Sequence, residues 1–298
     1  MKIPLSWISA YTNIDTLLEQ KGTKDLAHLY SIHTAEIDGI EEIGTEDKVV
    51  VAKVLSSKPH PDSDHLNLVE VDIGSLGRKQ IVCGATNVVG AHYVALATVG
   101  SKLGSARDFE IKLSKIRGET SEGMICSEDE LGLQEDRAVG IMRLEDHFDE
   151  VLLESKLGTP FFDLELQIPG NGTESYSFPI RDTIFEIDNK FITNRPDLFG
   201  VVGNAREFGA VFSLPFADYV GKMSTKPAAI KVNIESPNVS SYILASIKNT
   251  PVGKSPLGID LMLRKSGQSP KYDLVDMTNF IMTELGQPTH VFDADKVE

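Results

Sequence analysis

The chain has 298 residues, of which 29 are Lys or Arg and 44 are Asp or Glu, so the formal net charge is −15. Hydrophobic residues make up 41% and charged residues 24%, which is typical of a folded globular protein, and no apolar run reaches the roughly 18 residues that would span a bilayer. Two cysteines in so long a chain form no disulfide framework, which favours a reducing, cytoplasmic compartment. The acidic balance taken alone argues against nucleic-acid binding, because phosphate contacts need surplus Lys and Arg.

The charge is unevenly distributed along the chain. Residues 78–118 contain seven basic and two acidic residues, whereas residues 1–77 carry a net charge of −7 and residues 119–199 a net charge of −13. A basic segment therefore lies inside an acidic chain. Charge alone leaves open whether this segment is a solvated face or a surface for RNA.

The first predicted element is a helix over residues 15–33, whose leucines recur at helical spacing and which Gly22 interrupts. Short β-rich runs follow, separated by turns that contain glycine. These runs are Val49–Val51, Leu66–Val71, Gln80–Val82 and His92–Val99. Several short strands at this spacing predict a small barrel or sandwich.

The basic segment itself predicts a strand that is buried on one face. Ile111–Ser114 alternates apolar and polar residues, and the alternation breaks at the next two positions. We interpret the break as a β-bulge that redirects Lys115 and Arg117.

A loop predicted at residues 169–172 precedes a mixed α/β region. Asn194 is the candidate N-cap of a helix that has Pro196 in its first turn and apolar residues recurring to Phe212. The remaining predicted elements are two helices, from Ser255 to Gly267 and from Thr278 to Leu285, and two strands, Ala229–Ile234 and Tyr242–Ile247.

The densest group of potential metal ligands is His60, Asp62, Asp64 and His65. Their spacing suits neither a helical pair nor a usual zinc site, so a polar loop around Pro61 is favoured and no metal site is predicted. Cys83 and Cys126 lie in apolar, strand-like segments, where a cysteine ordinarily belongs to the core. The chain has no phosphate-binding loop, dinucleotide fingerprint or nucleophile elbow, so its motifs predict no ATP-using catalytic centre.

Three sequence blocks resemble the tRNA-binding OB-type domain of synthetase appendages and free-standing tRNA-binding proteins. In chain order they are His60–Leu66; Gln80–Ala85 with Asn87; and Arg117–Gly118 followed by Ser121, Gly123–Ser127 and Glu130–Leu133. The resemblance implies a small barrel whose basic face follows a phosphate backbone. It assigns tRNA contact to Lys112, Lys115 and Arg117, and leaves Met124 and both cysteines as barrel core.

The remaining motifs resemble the start of the bacterial phenylalanyl-tRNA synthetase β subunit, and the resemblance covers essentially the whole chain. They are Lys2–Ile8, Asn194–Asp197, Val275–Asn279 and Glu284–Asp293. This resemblance implies a multidomain α+β fold in three parts. They are a small helical and mixed N-terminal domain of residues 1–39 and 150–199, an OB-fold β-barrel inserted at residues 40–149, and an incomplete α/β editing domain of the B3/B4 type at residues 200–298.

The resemblance also implies a function. Such β subunits bind tRNA(Phe) and hydrolyse tyrosine mischarged onto it, and so support ATP-dependent charging by the α subunit in an α2β2 heterotetramer. ATP and Mg²⁺ would serve the synthetic site on the α subunit, with no cofactor in this chain. Two other classes stay open: a free-standing tRNA-binding protein and a non-catalytic assembly scaffold.

The residues that match the family's editing site are Thr278, Asn279, Pro288 and His290. By resemblance, His290 would position a hydrolytic water or the ester, and Thr278 and Asn279 would form hydrogen bonds with the substrate. A second site that hydrogen-bonds the tyrosine hydroxyl improves accuracy, because a phenylalanine pocket cannot strongly reject a ligand that only adds this group. Helix capping is the structural alternative for Thr278 and Asn279, and a core histidine is the alternative for His290.

Two departures from the family's pattern bear on editing. Tyr272-Asp273 stands where family members usually have paired asparagines, and the segment that supplies the family's acidic and tyrosine-sensing residues would follow Glu298. We therefore expect this chain alone not to edit. Because its basic segment lies among acidic ones, we also expect it to bind tRNA weakly.

Overall fold

A computed structural model describes residues 1–103, 109–134, 136–169, 175–218, 232–250 and 253–296. The helices are α1 (Leu5–Ser9), α2 (Asp15–Lys21), α3 (Thr23–His33), α4 (Glu150–Ser155), α5 (Val201–Phe212), α6 (Leu257–Lys265) and α7 (Asp273–Leu285). The strands are β1 (Lys2–Pro4), β2 (Ile37–Ile43), β3 (Val49–Pro59), β4 (Asn67–Asp72), β5 (Arg78–Cys83), β6 (Tyr93–Thr98), β7 (Lys102–Leu103), β8 (Phe109–Glu110), β9 (Ser114–Ile116), β10 (Glu119–Ser121), β11 (Gly123–Ile125), β12 (Glu165–Pro169), β13 (Ser175–Pro179) and β14 (Asp182–Ile187).

Gly22 divides the predicted first helix into α2 and α3. Its φ of +77° lies in the left-handed region, which glycine adopts without steric cost. Leu26 and Tyr30 of α3 are fully buried, whereas α2 has no buried residue. The second half of the predicted helix therefore supplies most of the packing face, and the first half contributes only the partly buried Leu17 and Leu18.

A three-stranded antiparallel sheet joins segments that are distant in sequence. Strand β14 lies between β1 and β2, so residues 182–187 pair with residues at the start of the chain and with residues 37–43. Side chains from α1, α3, α5, α6 and α7 share one buried apolar cluster with this sheet. Within it, the ring of Trp7 stacks on that of Phe280, with centroids 4.5 Å apart. The C-terminal helices and the N-terminal segment thus form one core.

Residues 49–125 contain a five-stranded antiparallel sheet in the order β11-β6-β3-β4-β5. Its two edges approach each other, because the Glu122 N–H donates to the Gln80 carbonyl at 2.9 Å and the Val82 N–H donates to the Ser121 hydroxyl at 3.1 Å. These bonds nearly close the sheet into a barrel, which leaves little free strand edge.

Strand β3 is apolar on both faces at its start. Val49 and Val51 belong to one buried cluster and Val50 to another, as expected when successive side chains of a strand point to opposite sides. Cys83 and Cys126 are buried in the same two clusters. Burial raises the pKa of both thiols, so their predicted role as core residues is confirmed.

The basic segment folds differently from the predicted bulged strand. The expected alternation over residues 111–114 is wrong, because Leu113 is 63% exposed. Instead, β9 and β10 form a hairpin whose two-residue turn is Arg117-Gly118. Both turn residues have positive φ, at +49° and +93°, which is typical of the type I′ turn that suits the twist of a hairpin.

Helix α5 begins later than predicted, and Asn194 is not its cap. The chain first makes a single 3₁₀ turn at Pro196–Phe199, and Gly200 occupies the N-cap position of α5. The buried Asn204 amide donates to the Leu198 and Gly200 carbonyls at 2.7 and 2.8 Å. A side chain inside the helix therefore binds the preceding turn, which a local capping pattern cannot reveal.

Helix α6 forms as predicted, but α7 begins at Asp273 and so is longer than expected. The Asp276 carboxylate in its first turn accepts hydrogen bonds from the Lys271 N–H, at 2.7 Å, and from the Ser255 hydroxyl, at 2.5 Å. These tertiary contacts stabilise the first turn of α7. As a result, Thr278 lies inside α7, and the capping alternative for Thr278 and its neighbour is wrong.

The two strands predicted between residues 229 and 247 are not found in the described residues. Residues 229–231, like residues 170–172 of the predicted loop, lie outside the described ranges. Residues 232–234 and 242–247 are described but have no regular structure, and Ile243 is 87% exposed. A strand needs a neighbouring strand to satisfy its backbone groups, and no described strand pairs with these residues.

The described residues form a mixed α/β fold that includes a nearly closed, barrel-like sheet, so this part of the prediction is confirmed. Among them, no helix is both long enough and apolar enough to cross a membrane.

Candidate nucleic-acid interface

The β9–β10 hairpin and the segment before it carry exposed positive charge. Lys112, Lys115 and Arg117 are all exposed, and none of them forms an ion pair within the described part of the chain. Arg78 and Lys79 of the same basic segment instead pair with neighbouring carboxylates. The structure therefore brings the three residues predicted to contact tRNA to one small element.

The loop that contains the histidines and aspartates holds one side of this hairpin. Arg117 Nη1 donates to the Asp62 carbonyl at 2.9 Å, and His60 Nε2 lies 3.3 Å from the Ile116 carbonyl. His60 Nδ1 accepts the Asp62 N–H at 3.0 Å, so the hydrogen bonds place the ring proton on Nε2. Both ring nitrogens contact the backbone, which agrees with the predicted loop and gives this histidine a supporting role.

Strand β5 holds the other side of the hairpin. Gln80 Nε2 donates to the Thr120 carbonyl at 3.0 Å and to a Glu119 carboxylate oxygen at 3.2 Å. Hydrogen bonds join β10 to the barrel and the turn to the histidine loop. The basic side chains of the hairpin therefore project from a fixed backbone.

An open groove of about 770 Å³ lies beside the hairpin. Leu66, Cys83 and Met124 contribute apolar surface to it, and Lys112 also lines it. The ring of Phe109 lies in its wall and is 59% exposed. The groove thus combines apolar contact area with positive charge.

Sequence reasoning missed two residues of this groove. Arg137 lines it and is exposed. It belongs to a segment with a strong negative net charge, so the net charge of that segment gave no indication of a basic site. Phe109 continues the alternation of Ile111 and Leu113, a pattern that predicts a buried side chain and so does not reveal an exposed ring. Only the folded arrangement places these residues beside Lys112.

Two carboxylates also line the groove. Asp129 accepts a hydrogen bond from the Ser127 hydroxyl at 2.7 Å and from the Ala138 N–H at 3.1 Å, and Glu130 accepts the Ser127 N–H at 2.8 Å. Burial works to raise the pKa of Asp129, but these hydrogen bonds outweigh it and lower that pKa. The Asp129 side chain is therefore a fixed, ionised acceptor at neutral pH.

The residues assigned to editing by resemblance are Thr278, Asn279, Pro288 and His290. The Thr289 hydroxyl donates to the Thr278 carbonyl at 3.0 Å, which brings the segment after α7 back to this helix. The Thr278 hydroxyl itself donates to the Val275 carbonyl at 2.7 Å. Pro288 and His290 are exposed, so the alternative of a core histidine is wrong.

Among the described residues, one group of carboxylates is close enough to share a cation. It consists of Glu36, Asp38 and Asp188, whose nearest oxygens all lie within 4.8 Å of one another. The Asp188 carboxylate already accepts the Lys190 N–H at 3.0 Å, and the group lies at the surface. An exposed acidic group of this kind identifies no metal site.

Two family models match the chain. A model of a tRNA binding domain matches residues 49–151, which include the barrel-like sheet and the hairpin. A model of the B3/4 domain matches residues 238–298, which include α6, α7 and the residues assigned to editing.

Curated relatives match over the whole chain. The phenylalanine–tRNA ligase beta subunits of Salinibacter ruber, Legionella pneumophila and Lactiplantibacillus plantarum are 31%, 36% and 33% identical to it. Each match covers 100% of this chain but only 34–35% of the relative, so the chain spans about a third of the length of these relatives. The C-terminal domain of Plasmodium vivax p43 is 18% identical, covering 44% of this chain and 57% of that one, and its TM-score of 0.23 is too low to support an argument.

Proposed function

The chain is homologous along its entire length to the β subunits of phenylalanine–tRNA ligase, and on this basis we propose that it acts within such a ligase. Its roles there are to bind tRNA(Phe) and to contribute to hydrolytic editing of mischarged tyrosine. ATP-dependent charging, with Mg²⁺, takes place on a cytoplasmic α subunit with which it assembles as an α2β2 heterotetramer. Homology along the whole chain supports this proposal over a free-standing tRNA-binding module.

We also propose the domain organisation that the resemblance implies. Residues 1–39 and 150–199 form one domain around an OB-fold barrel at residues 40–149, and a B3/B4-type editing domain starts at residue 200. The pairing of β14 with both β1 and β2 supports a discontinuous first domain. The hydrogen bonds between the edges of the barrel support the OB-type assignment.

One observation carries the tRNA-binding role: the match to a tRNA binding domain coincides with exposed cations on a fixed hairpin. A nucleic-acid backbone is recognised chiefly through Lys and Arg that neutralise phosphates and release counterions. Lys112, Lys115 and Arg117 are available for this, because they form no ion pair within the described ranges.

Replacing Lys112, Lys115 and Arg117 together by alanine should weaken tRNA(Phe) binding and flatten its salt dependence. Each lost phosphate contact removes about 0.7–0.9 from the slope of log affinity against log salt, so the slope should fall by at most about 2–3. Fluorescence anisotropy titrations of labelled tRNA(Phe) between about 50 and 200 mM salt measure this slope.

A matched control replaces three exposed lysines outside the barrel: Lys21, Lys24 and Lys190. These residues are exposed on α2, on α3 and on the turn after β14. The control removes the same total charge and should leave the slope nearly unchanged. If the hairpin variant also keeps its slope, the hairpin does not contact the tRNA.

We propose the editing role for Thr278, Asn279, Pro288 and His290, with the roles that the resemblance implies. The B3/4 match over these residues supports it, as does the hydrogen bond that holds the segment after α7 against Thr278. In this assignment His290 positions the hydrolytic water or the ester, and the two α7 side chains bind the substrate.

The chain alone should not accelerate deacylation of Tyr-tRNA(Phe). Pro288 and His290 are exposed and the Thr278 hydroxyl is already bonded to Val275, so these side chains do not enclose a substrate. Release of labelled tyrosine is compared with and without the protein. Rapid hydrolysis that disappears in His290→Ala would contradict this expectation, whereas in the assembled ligase the same substitution should slow editing about tenfold or more.

A further inference from the structure

The groove beside the β9–β10 hairpin has features that a phosphate-binding face does not need. Much of its lining is apolar, including Leu66, Cys83 and Met124. The ring of Phe109 is more than half exposed at its wall, although burial of an aromatic side chain would be favourable. An exposed ring in a groove with an apolar lining fits a ligand that presents a flat, apolar surface.

A nucleobase has such a surface. Proteins bind unpaired nucleotides by stacking bases on aromatic side chains while cations contact the neighbouring phosphates. The groove volume of about 770 Å³ lies within the range of small-molecule sites, roughly 300–1,000 Å³. It therefore has room for a nucleotide, whereas a paired base inside a duplex could not enter.

The charges of the groove fit the same ligand. Lys112 and Arg137 line it and can contact phosphates, and neither forms an ion pair within the described part of the chain. Asp129 and Glu130 would repel a phosphate, but they can accept hydrogen bonds from an exocyclic amino group. Cytosine, adenine and guanine carry such a group, and uracil does not.

We propose that this groove binds one unpaired nucleotide of RNA, with its base stacked on Phe109. Lys112 and Arg137 contact the flanking phosphates, and the carboxylates of Asp129 and Glu130 accept the amino group of the base. The inference rests on the proposed tRNA-binding function and refines it, because it predicts a preference for unpaired over paired RNA and for cytosine over uracil.

The test measures anisotropy of labelled 12-nucleotide oligo(C), oligo(U) and an RNA duplex with the 298-residue chain at pH 7.5. Oligo(C) should bind more tightly than oligo(U) or the duplex. Phe109→Ala should weaken oligo(C) binding by about fivefold to about 150-fold, which corresponds to the roughly 1–3 kcal/mol of one stacked base. The salt slope should not change, because no charge is removed, and Phe109→Trp should retain the affinity.

Phe191→Ala is the matched control, since Phe191 is also exposed, at 52%, and lies in the turn at Asn189–Ile192 outside the barrel. Both phenylalanines are at the surface, so thermal unfolding should show that both variants keep their fold. The control should bind oligo(C) like the unchanged protein.

Each alternative outcome has a distinct meaning. If Phe109→Ala binds oligo(C) normally while the hairpin triple variant does not, the nucleotide site is wrong and the proposed tRNA-binding function stands. Equal affinity for oligo(C) and oligo(U) would overturn the role of Asp129 and Glu130. If the unchanged chain binds no RNA, tRNA included, both the function and the nucleotide site are wrong.

Discussion

Replacing Lys265 by methionine should lower the free energy of unfolding by about 3–5 kcal/mol. Lys265 is only 1% exposed, and its Nζ donates to Asp182 Oδ2 and to the Pro179 carbonyl, each at 2.8 Å. Burial lowers the pKa of Lys265, and the adjacent Asp182 carboxylate counteracts this effect. Methionine fills similar space but leaves a buried carboxylate without its counter-charge, and this uncompensated charge causes most of the loss.

In the Lys265→Met variant the Asp182 carboxylate keeps its other hydrogen-bond donors, so its charge is still partly stabilised. Its Oδ1 accepts the Ser6 N–H at 3.1 Å and the Thr183 N–H at 2.9 Å. Adding Asp182→Asn to Lys265→Met removes the unpaired charge and should restore part of the stability. Chemical denaturation of both single variants and the double variant gives the coupling energy, and additive effects would show that the pair does not interact as described.

An exposed lysine pair provides the control for burial. Lys53 Nζ lies 2.8 Å from a Glu154 carboxylate oxygen, the same separation as in the buried pair, but the two side chains are 37% and 50% exposed. Lys53→Met should cost no more than about 1 kcal/mol, because water solvates the partner that remains. A similar cost for Lys53→Met and Lys265→Met would contradict the role given to burial.

The buried pair adds an ionic contact to the apolar cluster through which the C-terminal helices pack against the N-terminal segment. Lys265 ends α6, Asp182 begins β14, and Ser6 lies in α1, so an ion pair and a hydrogen bond to the same carboxylate join three parts of the chain. A buried charge pair tolerates few alternative arrangements, because misplacing either partner leaves a charge unsatisfied. The sequence showed only a lysine near the end of a predicted helix and gave no indication of its partner, which is 83 residues away.

Elements with local signals were predicted well. The strands of the barrel follow from apolar runs separated by glycine-containing turns, and Gly22 marks the break between α2 and α3 because its backbone conformation favours glycine. Local charge also located the basic segment, within which the resemblance selects Lys112, Lys115 and Arg117 as predicted tRNA contacts. In each case the feature is determined by residues close together in the chain, so a single sequence is enough to detect it.

Elements set by tertiary contacts were predicted poorly. The predicted bulge became a hairpin turn, because Arg117 adopts positive φ while its guanidinium binds the histidine loop. The early start of α7 depends on Asp276 and its partners, Ser255 and Lys271. The groove depends on Phe109 meeting residues far away in sequence. Periodicity and capping rules describe neighbours along the chain, so they cannot predict contacts between residues that are far apart in sequence.

Gly203→Ala should destabilise the protein by about 3 kcal/mol, although alanine is normally the better helix former. A Cβ at this position would overlap the Asp197 carbonyl oxygen, which belongs to the backbone and cannot rotate away. The 3₁₀ turn at Pro196–Phe199 would have to move off helix α5. That movement would also disturb the hydrogen bonds from Asn204 to the Leu198 and Gly200 carbonyls, so strain and lost hydrogen bonds add together.

Gly209→Ala in the same helix separates this clash from the general effect of replacing a helical glycine. There the nearest atom to a new Cβ is the Leu214 carbonyl oxygen, at 3.3 Å, which needs only a small adjustment. Its free energy of unfolding should therefore change by no more than about 1 kcal/mol. Equal effects of the two substitutions in thermal and urea unfolding would contradict the close approach at Gly203. A selective loss at Gly203 would explain why helix α5 has a glycine at this position: the helix can lie against the Asn194–Asp197 motif only where no side chain intervenes.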